Sequence, residues 1–292
     1  MELTERWFNA YAKSKVDSAA TLEEKRFIRW HWRCYLYELR QFCSIMAGRP
    51  LHSVLDIGPG NFFFADAVTE LHPRTVYECV EPDSAMHGTG LFQTSTARRQ
   101  YRVYSANLEH DLTLESRYDA VVCFDVVEHL LHNPSMFLYN VHRLLTDTGV
   151  FFLITDNVMR LISIVKLLIG MNIYFPLLEP YYVRHNREYT FREAKDLLEG
   201  TGFRILKGSR FNFTVYWPSR LQTAIYSLLN LISEIPPLTR YKCHMFFACE
   251  KAGAPRLYRP AWLYEHSYGW GVVLDRKSRK GSERDAHETH CR

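Results

Sequence analysis

The chain has 292 residues, 47% of them apolar and 23% charged, enough to bury a sizeable core and unlike a disordered composition. A net charge of +4 is too mild to argue for nucleic acid by itself, and the opening MELTERWFNAYAKSK lacks the basic start and apolar core of a secretory signal. No segment reaches roughly 18 uncharged apolar residues, so no membrane span is expected and the localisation read from the sequence is cytoplasmic. Seven cysteines without a CxxC pair read as reduced thiols, with Cys79, Cys123 and Cys249 in core strands, rather than as a zinc site.

Residues 1–50 read as a helical cap, with Thr21–Glu24 as a capping box ahead of a segment rich in Arg, Trp and Tyr. From Leu51 the pattern turns to alternating units. SVLDIG reads as a first strand, Asn61 to Leu71 as a helix closed by Pro73, and TVYECVE as a second strand with Asp83 capping the next helix. YRVYSA and YDAVVCFD follow as strands. Asn133-Pro134 starts a helix, with Asn as cap and Pro in the first turn, and GVFFLIT is a fifth strand. Thr190-Phe-Arg-Glu193 opens a further helix ending near Gly200 and Gly202. FRILKGS and CHMFFACEK, separated by a helix from about Pro218, close the series. Strands alternating with helices imply a mostly parallel sheet covered on both faces. The expected organisation is thus α/β: a Rossmann-like seven-stranded domain over 51–251, an apolar helical insertion over 158–189, and a tail over 252–292. The end of that tail is charged and is expected to be disordered.

The first strand runs into Gly58-Pro59-Gly60, a turn in which glycine lets the backbone lie close to a ligand. A dinucleotide fingerprint wants a third glycine three residues on, where Phe63 stands, and the Gly-Lys-Ser/Thr ending of a phosphate loop is absent. Asp56 precedes the glycines. Glu81 ends the second strand about 20 residues on, where a carboxylate can accept bonds from two vicinal ribose hydroxyls.

VLDIGPG, CVEPDSAM and YDAVVCFDVVEHL together resemble the class I S-adenosylmethionine-dependent methyltransferases, over roughly residues 50–210. The resemblance implies S-adenosylmethionine as cofactor. Gly58 and Gly60 would admit its methionine portion, Asp56 would orient the loop, Glu81 would hold the ribose, and Met86 would lie near the adenine. The family often has an Asp after the third strand; here Asn107 takes that place.

FDVVEHLLHNP sits where the fourth strand ends, on the edge that faces the ligand crevice in open parallel sheets, so Asp125, Glu128 and His129 should border the transferred methyl. In the bland reading the Glu-His pair caps a helix and lines the pocket. In the sharper one, two carboxylates and an imidazole converge on a divalent ion such as Mg²⁺ or Mn²⁺. The ubiquinone-pathway O-methyltransferases and the small-RNA 3′-end 2′-O-methyltransferases carry a similar Glu-x-x-Glu-His pattern for a metal. The RNA enzymes add a later histidine, which His185 ahead of Tyr189-Thr190 resembles. Without metal, His129 or His185 would serve as general base.

The insertion is longer than a minimal connection and reads as a lid or substrate wall. Leu161, Ile164, Val165, Leu168 and Ile169 share one helical face, either packed on the sheet or, with LQTAIYSLLNLI, meeting a membrane peripherally through 158–180. The segment is similar to bacterial methyltransferases encoded with cell-surface polysaccharide enzymes, which implies O-methylation of a glycan or another small or lipid-linked acceptor, with Tyr181, Tyr182 and Tyr189 able to stack on a sugar. RNA 2′-O-methylation is the alternative, against which the scattered Arg and Lys argue, and a non-catalytic cofactor-binding regulator is a third. The sequence leaves the oligomeric state open.

Overall fold

The computed structural model describes residues 3–19, 21–81, 101–110, 114–131, 133–174, 184–213 and 219–265. Asp83, Met86, Tyr181, Tyr182 and the end of the tail lie outside the described residues.

The first two helices are set by their caps. Thr4 accepts the Trp7 amide to start α1 (Glu5–Ser18), and Thr21 accepts that of Glu24 to start α2 (Leu22–Met46). Both turn aromatic residues inward. Phe8 and Tyr11 meet Phe63, and Phe42 meets Phe64 and Phe152, so these helices share the core of the sheet. Residues 1–257 form one compact unit; a second begins at Tyr258 and carries the short helix α8 (Ala261–Tyr264).

The seven strands are β1 (Ser53–Ile57), β2 (Val76–Glu81), β3 (Arg102–Ser105), β4 (Tyr118–Phe124), β5 (Leu145–Asp156), β6 (Phe203–Phe211) and β7 (His244–Lys251). They form one sheet in the order β3-β2-β1-β4-β5-β7-β6, with β7 antiparallel to both its neighbours and the other pairs parallel. Their near-continuous burial explains the apolar runs: β4 and β5 hide Val121, Val122, Cys123, Phe151, Phe152 and Ile154 completely or almost so. Cys79, Cys123 and Cys249 are buried free thiols, as their strand positions imply.

The connecting helices are α3 (Phe63–Leu71), α4 (Pro134–Leu144), α5 (Leu161–Leu168), α6 (Phe191–Thr201) and α7 (Arg220–Ile232). Asn133 caps α4 through the Met136 amide, with Pro134 in its first turn. Thr190 and Glu193 form a complete capping box on α6, and Gly202 ends that helix at φ 109. α3 starts two residues later than expected, because Phe62 adopts the left-handed region at φ 57 and breaks the helical run. Among the described residues no helix is long and apolar enough to cross a membrane.

The strand order reverses between β1 and β4. The crevice at a reversal of this kind lies beyond the carboxyl ends of the strands.

Candidate functional site

The candidate residues carried by the strands and the turns that follow them lie on that edge. Asp56 is in β1 next to Gly58-Pro59-Gly60, Glu81 ends β2, and Asn107 follows β3. Asp125 follows β4, Glu128 and His129 form the short turn after it, Asp156 ends β5, and His244 begins the antiparallel β7 at the same edge.

The two glycines of the first turn do different work. Both have positive φ, 71° at Gly58 and 54° at Gly60. A Cβ on Gly58 would come within 2.6 Å of Val126 Cγ2, so this glycine lets the β1 turn close on the segment after β4. Among the described residues a Cβ on Gly60 would meet nothing within 4 Å, which leaves this stretch of backbone approachable by a ligand. Gly58→Ala is therefore expected to destabilise the fold by about 2–4 kcal/mol, strain and overpacking combined. Gly60→Ala should cost about 1 kcal/mol of stability and act mainly on ligand affinity. Denaturant titration with and without ligand separates the two.

Asp56 is buried and accepts the Tyr77 hydroxyl at 2.7 Å. Burial, opposed by that bond and reinforced by Glu81, raises its carboxyl to about 7. Glu81 is buried at the end of β2, its carbonyl receiving the Ala106 amide that pins the β3 exit. Asn107 uses its side-chain oxygen locally, accepting the Glu109 amide at 2.9 Å, so its NH₂ group is the end left for a new donation. A further acid comes from α2. Glu38 is buried, bonded by the Cys34 thiol, and raised to about 8 by burial with Asp125 and Asp56 adding. One helical residue in a cap segment offered no signal for this.

Asp125 is strained, a non-glycine residue at φ 54. Its Oδ1 is buried without a hydrogen-bond partner among the described residues. Burial raises its carboxyl, against the pull of His244. An orphaned carboxylate oxygen on the same edge as the open approach to Gly60 fits a site that receives a cationic ligand.

Glu128 is 1% exposed and accepts Thr155 Oγ1 at 2.8 Å. Its backbone carbonyl takes the amides of Asn186 (2.7 Å) and Arg187 (3.1 Å), which ties the 184–189 segment to the end of β4. Burial, then Asp125 and Asp156, hold its carboxyl well above the usual range. His129 places Nδ1 at 3.0 Å from the Arg184 carbonyl, and its ring meets that of His185 edge to face, 4.8 Å between centroids. An Nδ1–H donated to that carbonyl leaves Nε2 with its lone pair. Burial and the His185 charge push His129 down to about 4.

His185 is its opposite. Nδ1 lies 2.9 Å from Glu188 and 3.2 Å from Asp156. Burial works against its charge, but those two carboxylates outweigh it and raise the imidazole to about 10. Asp156 also binds His244 Nε2 at 3.0 Å, and Arg160 holds Glu188 through two bonds of 2.7 and 2.8 Å. His244, His185 and Arg160 keep Asp156 ionised well below its ordinary range in spite of burial. The positions thus divide by the direction of their shifts: neighbouring charges raise His185 and Arg160 and lower Asp156, whereas burial raises Glu128 and lowers His129.

A raised histidine adds stability that is fully present below its ordinary value of 6.5 and is lost as pH rises through about 10. The stability of the wild type over His185→Asn should therefore shrink from pH 6.5 to 10 in thermal denaturation. A constant difference would contradict the charged assignment.

Donor atoms of Glu128, His129 and His185 all lie within 4.8 Å of one another, as do those of Asp156, His185 and Glu188. Asp125, the first acid of the expected four-residue set, belongs to neither group. One carboxylate and two imidazoles, each with an outer partner that fixes its orientation, suit Mg²⁺, Mn²⁺ or Fe²⁺, provided His185 gives up its proton. Sequence reading missed Asp156, Glu188 and His244. An acid at the carboxyl end of a parallel strand was the available signal for Asp156. Glu188, three residues after His185, was the signal for a carboxylate partner.

A family profile described as a methyltransferase domain matches residues 16–207. Among solved structures, the plantazolicin methyltransferase BamL in complex with a triazolic desmethylPZN analog and SAH is similar at 14% identity and TM-score 0.51, covering 85% of this chain and 99% of that one. A SAM dependent methyltransferase from Archaeoglobus fulgidus aligns at 17% identity and TM-score 0.47, covering 74% and 92%. The O-methyltransferase of a trans-AT PKS multienzyme of Brevibacillus brevis, in complex with S-adenosyl-L-homocysteine, aligns at 18% and 0.46, covering 74% and 72%. Identities this low speak to fold alone. No curated protein matches the chain in sequence.

Proposed function

The chain belongs to the methyltransferase-domain family, within the class I S-adenosylmethionine-dependent superfamily, and on that premise we propose that it methylates a hydroxyl on a saccharide or a similar small or lipid-linked acceptor. The observation that carries the oxygen-directed reading is the pairing of a neutral imidazole, His129, with a charged one, His185, 4.8 Å away. When bound, S-adenosylmethionine supplies an electrophilic methyl on a sulfonium. Gly60 would leave room for it, Glu81 would accept hydrogen bonds from its ribose hydroxyls, and the acids Asp56 and Asp125 would lie toward its positive charge.

His129, lone pair on Nε2, takes the proton that the acceptor hydroxyl gives up, then passes it to solvent. His185, charged, steadies the negative charge that grows on the acceptor oxygen. Asp156 and Glu188 keep His185 charged, and Thr155 fixes Glu128 beside the pair. Alignment of the reacting groups in a closed crevice supplies much of the remaining rate.

A second reading rests on the same donors. Glu128, His129 and His185 would hold a divalent ion, whose Lewis acidity would lower the acceptor hydroxyl's pKa. Activity abolished by chelator and restored by Mg²⁺ or Mn²⁺ would select it; activity unchanged in chelator selects the histidine base.

The acceptor class is tested with radiolabelled S-adenosylmethionine and fractionated extract of the source cells. Label in sugar nucleotides, glycans or lipid-linked glycans is the expected result. Label confined to RNA or protein would overturn it.

A further inference from the structure

α7 presents its apolar stripe outward. Leu221, Ile225, Leu228 and Leu231, with Ile235 just beyond, recur at three- and four-residue spacing, all exposed, Leu221 to 70%. No residue of α7 is buried. α5 touches α7 and adds exposed Leu167, Leu168 (81%) and, past its end, Ile169 and Met171. A packing helix would have turned these residues inward. Monomeric proteins seldom leave so large a contiguous apolar area to water unless it binds something.

Charge says what that something is. Residues 157–178 and 201–233 contain no acidic residue, although the chain as a whole has 32. On the two helices the cations are Lys166 in α5 and Arg220 at the start of α7, whereas Arg160 and Arg204 are already engaged by Glu188 and Glu250, and Glu234 just past α7 is paired with Lys242. Two-fold pairing of this face with a second copy would bring like charges together, whereas an anionic bilayer answers both the apolar stripe and the cations.

We propose that α5 and α7 form a peripheral docking surface for an anionic lipid bilayer, entering at the depth of the headgroups without spanning. Docking would hold the chain at a membrane whatever the acceptor, so this inference stands apart from the identity of the methylated hydroxyl.

The test is co-sedimentation of the full chain with vesicles of phosphatidylcholine alone and with phosphatidylglycerol added. Binding to the anionic vesicles is expected, weakening with salt and falling about tenfold or more in Leu168→Glu/Leu228→Glu. Both positions are exposed, so S-adenosylhomocysteine affinity should be unchanged and serves as the folding control. Equal binding by variant and wild type, or none by the wild type, overturns the proposal. A wild-type dimer in sedimentation velocity that the same substitutions dissociate, without vesicle binding, overturns it in favour of self-association.

Discussion

Replacing Glu81 with alanine lowers the affinity for S-adenosylhomocysteine by about 100-fold or more while leaving the melting transition cooperative. The carboxylate ends β2 at the crevice, buried, where two vicinal hydroxyls can each donate to it. Hydrogen bonds to a charged acceptor are worth roughly 1.5–3 kcal/mol apiece, and two of them give roughly two to four decades. Glu81→Gln keeps the shape and one acceptor oxygen, so it should lose less. Isothermal titration calorimetry measures both. Affinity unchanged in Glu81→Ala would remove the ribose assignment, and with it the orientation of the cofactor along the sheet edge.

The second large effect is on turnover. His129→Ala should lower kcat by about 10²–10⁴, the usual contribution of a positioned base, with cofactor affinity within a few-fold of wild type. The substitution removes the Nδ1 bond to Arg184 along with Nε2, so His129→Asn is the needed control. Asn can still donate to the carbonyl but takes no proton, and it should be as slow as Ala. Recovery in His129→Asn would mean that the residue anchors the 184–189 segment and does no proton transfer.

Much of the fold was legible because its signals are local. Asn133-Pro134 and Thr190–Glu193 form the expected helix starts, since each cap is closed within one turn. The Gly58-Pro59-Gly60 turn sits where a strand must hand over to a helix, but Phe62 in the left-handed region, which delays α3, has no such signature. The site was legible only in part. Glu128 and His129 are adjacent in sequence, and a short 3-10 turn suffices to aim them. Their partners arrive by pairings that no short window contains: the register of β5 on β7 sets Asp156 opposite His244, 88 residues away by number, and α2 delivers Glu38. The apolar periodicity of α5 and α7 was plain, yet periodicity says that a face exists and not whether protein or solvent meets it.

The most direct measurement of the central claim is product analysis after reaction with ¹³C-methyl S-adenosylmethionine and the acceptor fraction, read by NMR for the atom that carries the new methyl. The account predicts a single O-methyl signal on a saccharide, formed by the wild type and reduced at least about 100-fold in His129→Ala. A methyl on nitrogen, sulfur or carbon, or an O-methyl signal undiminished by that substitution, would contradict it.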